Sequence, residues 1–280
     1  MAFFRATESL RPSHRRLVVD PFALHFIRPS LRRAVWLLKS AIFRKLVNWY
    51  ADRRIPGART SAIARTKFID DLLAGAIEED IPQLVILGAG FDCRAYRLRV
   101  LDRTTIFEAD RPDTLAWKMT KLRETLPKLP GNVHYAELDF NQGRLKEALI
   151  RADFQPSRPA MFLWEGVTNY LTAEGVDAVL SFVASCSPGS QIIFTYVHAG
   201  VLDGSVRFEG GNRLLHDVAP LGERWTFGFS PGELAKFLRD RGLRLDCDLS
   251  ACEYRSRYFG AAAQRMKDYE FYHVACEQTA

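Results

Sequence analysis

Cysteine is scarce in this chain and poorly arranged for chemistry. The five present, Cys93, Cys186, Cys247, Cys252 and Cys276, are an odd number and include no Cys-x-x-Cys pair. That spacing argues against a zinc site and against a disulfide framework. Cys247 and Cys252 are near neighbours in sequence, but each is expected to fill an apolar niche, and no metal is expected. Long apolar runs are also missing, and none reaches the ~20 residues that cross a bilayer. Arg5, Arg11, Arg15 and Arg16 interrupt the N-terminus where a signal peptide would carry its apolar core, so a cytoplasmic location is expected. No repeat, low-complexity tract or linker divides the 280 residues. One domain is therefore expected, with residues 1–80 as a basic helical lid and 81–280 as an α/β core.

Acid is scarce at one end only. Residues 1–67 hold 15 Lys or Arg against Glu8, Asp20 and Asp52, a net +12, whereas the remainder carries −6. A partner for this N-terminal quarter should be acidic. Within it, Leu31, Val35, Leu38, Ile42, Leu46 and Trp49 recur at helical spacing and predict one helix from Leu31 to Trp49. Arg32, Arg33, Lys39 and Arg44 fall off that stripe, while Trp36, Phe43 and Val47 make a second apolar patch. Such a helix can lie on a membrane, cover a cleft, or pack on the main domain with its arginines in water. A second helix is predicted from about Thr60 to Ile77, with Ile63, Phe68, Ile69 and Leu72 inward.

The most informative stretch that is present runs from Leu84 to Leu98. An apolar run ends in Gly88-Ala89-Gly90 and then turns into a helix-like pattern. This is a buried strand opening onto a glycine turn that a nucleotide can approach closely. Twenty-two residues after Gly88, at the end of a second apolar segment, stands Asp110, placed to accept the hydroxyls of a ribose. The third glycine of a dinucleotide turn is absent. Arg94 occupies its position and Asp92 sits in the mouth of the turn, where a carboxylate would repel a pyrophosphate. A cationic cofactor without phosphate, S-adenosylmethionine, suits these residues better than a nicotinamide.

From Gln83 onward strands and helices alternate as in a mostly parallel sheet covered on both faces. Strands are predicted at Gln83–Leu87, Thr104–Ala109, Asn132–Leu138, Pro159–Trp164, Gln191–Tyr196, Leu243–Leu249 and Glu270–Glu277. Helices are predicted near Pro112–Thr125, Gln142–Arg151, Ala173–Ser185 and, with Ser230 as cap and Gly242 as stop, Pro231–Arg241. In such a sheet the ligand lies beyond the carboxyl ends of the strands. Four of the first five strands end beside an ionisable residue: Asp110, Asp139, Glu165 and His198. Asp139 can accept from an adenine amino group while the Phe140 N–H donates to a ring nitrogen. Glu165 and Asp92 can balance ammonium and sulfonium charge. Asp139 alone also reads as a cap for the following helix.

Several separate motifs resemble the leucine carboxyl methyltransferase family, in its order and over about Asp20 to Gly242. They are Asp20-Pro21-Phe22-Ala23-Leu24-His25-Phe26, Ala64-Arg65-Thr66, Ile86 through Asp92, Phe107-Glu108-Ala109-Asp110-x-Pro112, Glu165 through Leu171, and the Trp225–Gly242 segment. The resemblance implies a class I methyltransferase fold, Rossmann-like, with S-adenosylmethionine as cofactor and an N-terminal helical addition over the site. It further implies cofactor contacts at Arg65, Gly88, Asp110, Asp139, Phe140 and Glu165, beside Ala89, Gly90 and Asp92 of the turn. Arg65 would grip the cofactor's carboxylate, and Tyr170 would help to place the acceptor. Cys93, where many members have threonine, and Phe140-Asn141, where leucine-arginine is usual, depart from the pattern.

A carboxylate acceptor is already ionised at neutral pH and needs no general base. The protein must hold it in line with the methyl and exclude water. His198, beside Tyr196, could instead deprotonate an alcohol or phenol, or simply tie down a loop. Tyr170, His198 and Tyr196 are thus the candidate catalytic residues. Carboxyl methylation is the first reading, hydroxyl methylation in natural-product tailoring the second, and a non-catalytic acidic-surface or membrane-binding module the third. The expected acceptor is an anionic peptide or small molecule met by Arg28, Arg32 and Arg33. A monomer is expected, with no nucleic acid and no membrane span.

Overall fold

The computed structural model describes residues 1–78, 81–140, 144–218, 224–267 and 269–279. In chain order the helices are α1 (Ala2–Ser9), α2 (Pro29–Leu37), α3 (Ala41–Arg54), α4 (Ala58–Glu78), α5 (Arg94–Arg97), α6 (Pro112–Arg123), α7 (Leu145–Arg151), α8 (Ala173–Ala184), α9 (Ala199–Asp203), α10 (Gly211–Val218), α11 (Pro231–Arg239) and α12 (Ala251–Phe259). The strands are β1 (Gln83–Leu87), β2 (Thr105–Asp110), β3 (Val133–Glu137), β4 (Ala160–Trp164), β5 (Gln191–Val197), β6 (Leu243–Ser250) and β7 (Tyr272–Thr279).

The strands form one sheet in the order β3-β2-β1-β4-β5-β7-β6. Strands β1 to β5 pair in parallel, and β7 inserts antiparallel between β5 and β6. Every residue of β1 and β4 is buried, as expected for central parallel strands covered on both faces. Val85, Leu87, Phe162 and Trp164 face one apolar layer with α7, α8 and α11, whereas Leu84, Ile86, Met161 and Leu163 face the layer that includes α4 and α12. Ala64, Phe68, Ile69 and Leu73 seat α4 in that second layer. Helix α4 is therefore part of the core sandwich, not of its covering.

Strand order reverses between β1 and β4, which leaves a crevice where their carboxyl ends diverge. Register places the functional segments around it. Leu87 pairs with Ala109 and Ile86 with Leu163, so the turn after β1 stands level with Asp110 and Glu165. Asp110 in turn pairs with Glu137, two residues before Asp139.

Three expectations are corrected here. The single helix from Leu31 to Trp49 is two helices, broken at residues 38–40. The turn rotates the apolar stripe, so that Val35 and Leu38 are buried but Ile42, Leu46 and Trp49 are exposed. Cys247, expected to fill an apolar niche, is instead paired with Cys276, and Cys252 is free and exposed rather than in a niche. Cys247 and Cys276 are joined across β6 and β7 with Cα atoms 5.1 Å apart, opposite one another just past an irregularity at Leu245/Cys247. Ser230 precedes Pro231 at the start of α11 but makes no side-chain capping bond. The predicted start of α7 at Gln142 lies outside the described residues.

Candidate functional site

A cavity of about 180 Å³ occupies the crevice. Leu87, Gly88, Ala89, Phe91 and Asp92 line it from the β1 side, Glu165 and Gly166 from β4, Arg65 from α4, and Met1 and Arg5 from the N-terminus. The turn owes its shape to glycine. Gly88 has φ +67°, and a Cβ there would run into the Val167 side chain. The N–H groups of Gly88 and Ala89 donate to the Ala109 carbonyl at 2.8 and 3.2 Å. Asp110 closes the loop, its Oδ2 accepting from Gly90 N–H and its Oδ1 from Arg111 N–H, both at 2.7 Å.

Arg5, Arg65, Asp92 and Glu165 line the cavity, and Arg94, Arg97, Asp20 and Asp70 are linked to them by ion pairs. Arg65 Nε donates to Glu165 Oε1 at 2.9 Å, and Arg94 to Glu165 Oε2 at 2.8 Å. Arg94 also binds Asp92 and, at 2.7 Å, Asp70, which Arg97 grips with two further bonds. Arg5 donates to Asp20 at 2.8 Å and to the Phe91 carbonyl at 2.5 Å. Burial alone would raise the Glu165 carboxyl, but Arg94 and Arg65 overcome it and hold the group at about 2. Asp92 is likewise below its usual range: burial opposes ionisation, and Arg94 reverses the sign. The Arg65 guanidinium lies 4.7 Å from the Tyr272 ring centroid. Burial pushes the Tyr272 phenol up to about 12, with Tyr170 near enough to contribute. The cavity thus presents fixed positive and negative groups side by side, each oriented by a partner.

A second set of residues supports the turn from below, and sequence reasoning missed it. Lys118 and Glu108 are fully buried and paired at 2.8 Å, and Lys118 also donates to the Ala89 carbonyl at 3.1 Å. Tyr96 donates to the other Glu108 oxygen at 3.0 Å. The available signal was an acid inside an apolar strand, since a buried carboxylate demands a cation. Arg94 also does more than replace a glycine, because it joins Asp70, Asp92 and Glu165 into one network.

The other predicted residues are distributed unevenly. Asp139 lines an open cleft of about 600 Å³ with Arg111, Asp113 and Glu137, beside Asp110. The Phe140 side chain lines a different cavity, of about 330 Å³, against α7 and α8. Asn141 lies outside the described residues. Tyr170, 37% exposed, ends a short turn at Thr168–Tyr170. Tyr196 and His198 do not line the crevice. Tyr196 is fully buried, donates to Asp248 at 2.6 Å and stacks on His273, a structural role set by the antiparallel edge of the sheet. His198 caps α9, its Nδ1 accepting from Gly200 N–H at 3.0 Å. Burial and the proximity of His273 lower its pKa. The Nδ1 lone pair is engaged in that cap.

The N-terminal segment is fastened over the turn. Asp20 accepts from Arg5 and from the N–H groups of Phe22 and Ala23, while Phe26 stacks on Phe91, which meets Trp117 at 5.0 Å. Arg32, expected to greet an acceptor, instead donates to the His25 and Ile27 carbonyls. Arg28 is exposed, and the Arg33 side chain lies outside the described structure.

A turn and acid at the switch point of a 3-2-1-4-5-7-6 sheet define the class I methyltransferase fold. Two solved structures share it along nearly the whole chain. A DUF574 family protein from Streptomyces avermitilis superposes with a TM-score of 0.64 at 13% identity, covering 99% of this chain and 97% of that one. A protein from Thermobifida fusca, provisionally titled a methyltransferase, gives 0.63 at 18% identity over 99% and 94%. Residues 1–184 match the leucine carboxyl methyltransferase family, and the chain belongs to that family. A relative from Mycolicibacterium paratuberculosis, provisionally named an S-adenosyl-L-methionine-dependent methyltransferase, is 32% identical over 204 residues. That match covers 70% of this chain but 62% of the relative, less than two thirds of its length.

Proposed function

We propose that this protein is an S-adenosylmethionine-dependent methyltransferase acting on a carboxylate oxygen to form a methyl ester. The carrying observation is the switch-point cavity in which Arg65 and Glu165 stand side by side above a glycine turn closed by Asp110. An α-amino acid moiety carries one negative and one positive group, and these two side chains match them: guanidinium for its carboxylate, Glu165 for its ammonium. Asp110 retains free acceptor capacity for a ribose beyond its two backbone bonds. Asp139 and the Phe140 N–H lie farther along the same strand-end row, where an adenine would follow. Gly88, Ala89 and Asp92 line the cavity between, with Gly90 of the same turn bonded to Asp110.

When bound, S-adenosylmethionine supplies an electrophilic methyl on a sulfonium. Arg65, Glu165 and Asp110 would hold it, and its sulfonium would activate that methyl toward an anionic oxygen. This chain's residues need only hold the acceptor in line and keep water out. Tyr170, next to the Tyr272–Arg65 pair, is the proposed acceptor-positioning group. Met1, Arg5 and the Phe26–Phe91–Trp117 aromatics are the proposed cover. Among the described residues lining the cavity there is no histidine, in keeping with an acceptor that arrives ionised. An anionic peptide or small acid fits this reading.

The product tests it. A methyl ester releases methanol in mild base, whereas an ether survives. His198→Ala should leave kcat within about tenfold, since no base of the usual 10²–10⁴ value is removed. A base-stable product with a severely impaired His198 variant would establish hydroxyl methylation instead.

A further inference from the structure

No side chain of α3 is buried. Ile42, Phe43, Leu46, Trp49 and Tyr50 are 78, 48, 58, 59 and 60% exposed. At about 100° per residue they fall in one stripe roughly 120° wide. This is a convex helix face, not the wall of a groove. Arg53 stands within the stripe, its guanidinium 5.9 Å from the Trp49 ring centroid, and Lys45 and Arg54 flank it. The opposite side of α3 borders a groove of about 610 Å³ rimmed by Arg11, Arg15, Arg44, Lys45 and Arg59, with Phe259 and Met266 in its lining. The acids nearby are already engaged. Asp52 is held by Arg59 at 2.7 Å and Glu8 by Arg11 at 3.0 Å. The surface is apolar and cationic at once.

We infer that α3 docks the protein on an anionic phospholipid surface. Ile42, Leu46 and Trp49 enter the headgroup boundary, and Lys45, Arg53 and Arg54, within or beside that stripe, engage lipid phosphates. Charge selects this occupant. A second copy would bring another segment of net +12 against the first, and like charges in apposition oppose association. An acidic peptide would satisfy the cations but leave a convex stripe of Ile, Leu, Trp and Tyr in water. A bilayer interface takes both parts: aromatic rings of this kind settle at headgroup level, and long cationic side chains bury their stems while reaching phosphate. Polybasic surfaces gain from each added cation near anionic lipid.

Co-sedimentation of the full chain with phosphatidylcholine vesicles, with and without phosphatidylglycerol, tests the inference. Binding should be at least ~tenfold stronger to the anionic vesicles at low salt and fall toward the neutral level at high salt. Leu46→Glu with Trp49→Glu, and separately Lys45→Glu with Arg54→Glu, should each weaken it by about tenfold or more at an unchanged melting temperature. Trp49→Phe should still bind but lose the fluorescence blue shift that vesicles induce. Equal binding to neutral and anionic vesicles would overturn the inference, as would variants that bind like wild type. So would a concentration-dependent dimer abolished by Leu46→Glu, or tighter binding to a poly-glutamate peptide than to vesicles.

Discussion

At the residue scale, the site depends on groups that never touch solvent. Lys118 ties the Ala89 carbonyl to Glu108, so the glycine turn rests on a buried ion pair. Removing one partner of such a pair strands the other and costs about 3–5 kcal/mol, whereas replacing both with apolar groups is often neutral. Lys118→Met should therefore lower stability by about that amount, and Lys118→Met with Glu108→Leu should recover most of it; denaturant unfolding checks both. If the single and double variants unfold alike, the pair does not bear the turn. Part of this scale was legible in the sequence. Gly88, Asp110 and Glu165 announce themselves by position at strand ends, and Arg65, within α4, only through the family motif Ala64-Arg65-Thr66. Lys118 does not, because its partner lies ten residues away and its role exists only once α6 returns over β2. Proximity in sequence to a strand end does not fix which way a side chain faces: Tyr196 reaches Asp248 of β6, and His198 caps α9 beside Phe208.

At the element scale, the strands and the long helices followed from pattern, with β1 found at the predicted Gln83–Leu87. Two features were hidden. The break between α2 and α3 has no proline or glycine to signal it, since residues 38–40 read Leu-Lys-Ser, and tertiary packing of Val35 and Leu38 decides it. The Cys247–Cys276 pairing depends on the register of β6 against β7, which no spacing rule supplies. Strand β7 carries a further consequence. Glu277 is 1% exposed with neither carboxyl oxygen hydrogen-bonded among the described residues. Burial first, then Asp246 and Asp248, raise its pKa well above the ordinary value. The unfolded chain thus releases this proton at lower pH than the folded one. Its contribution to stability is intact below the ordinary glutamate pKa and is lost as pH rises above it, by about 1.4 kcal/mol per pH unit until the folded group ionises. Glu277→Gln should match wild type near pH ~4 and melt higher near pH ~8. A melting difference that is constant across that range would place a partner on Glu277.

At the scale of the whole molecule, a +12 N-terminal quarter meets a −6 remainder through α4, where Arg65 pairs with Glu165 and Ser61 with Tyr254, and through Arg5 and Phe26 on Phe91. Composition revealed the asymmetry, and the motif from Asp20 to Phe26 located the fastening. Neither revealed that α4 belongs to the core sandwich or that α3 faces solvent. The strand order itself, with β7 antiparallel between β5 and β6, arises from pairing choices beyond local pattern, yet its reversal between β1 and β4 creates the crevice that Arg65, Gly88, Ala89, Asp92 and Glu165 line. Occupation of that crevice is measured most directly by titration calorimetry of S-adenosylmethionine into wild type and Asp110→Ala. Wild type should bind one equivalent, and the variant should bind at least ~tenfold more weakly, a loss of about 1.4 kcal/mol or more. Equal affinity, or no binding to wild type, would contradict the assignment of the crevice to this cofactor.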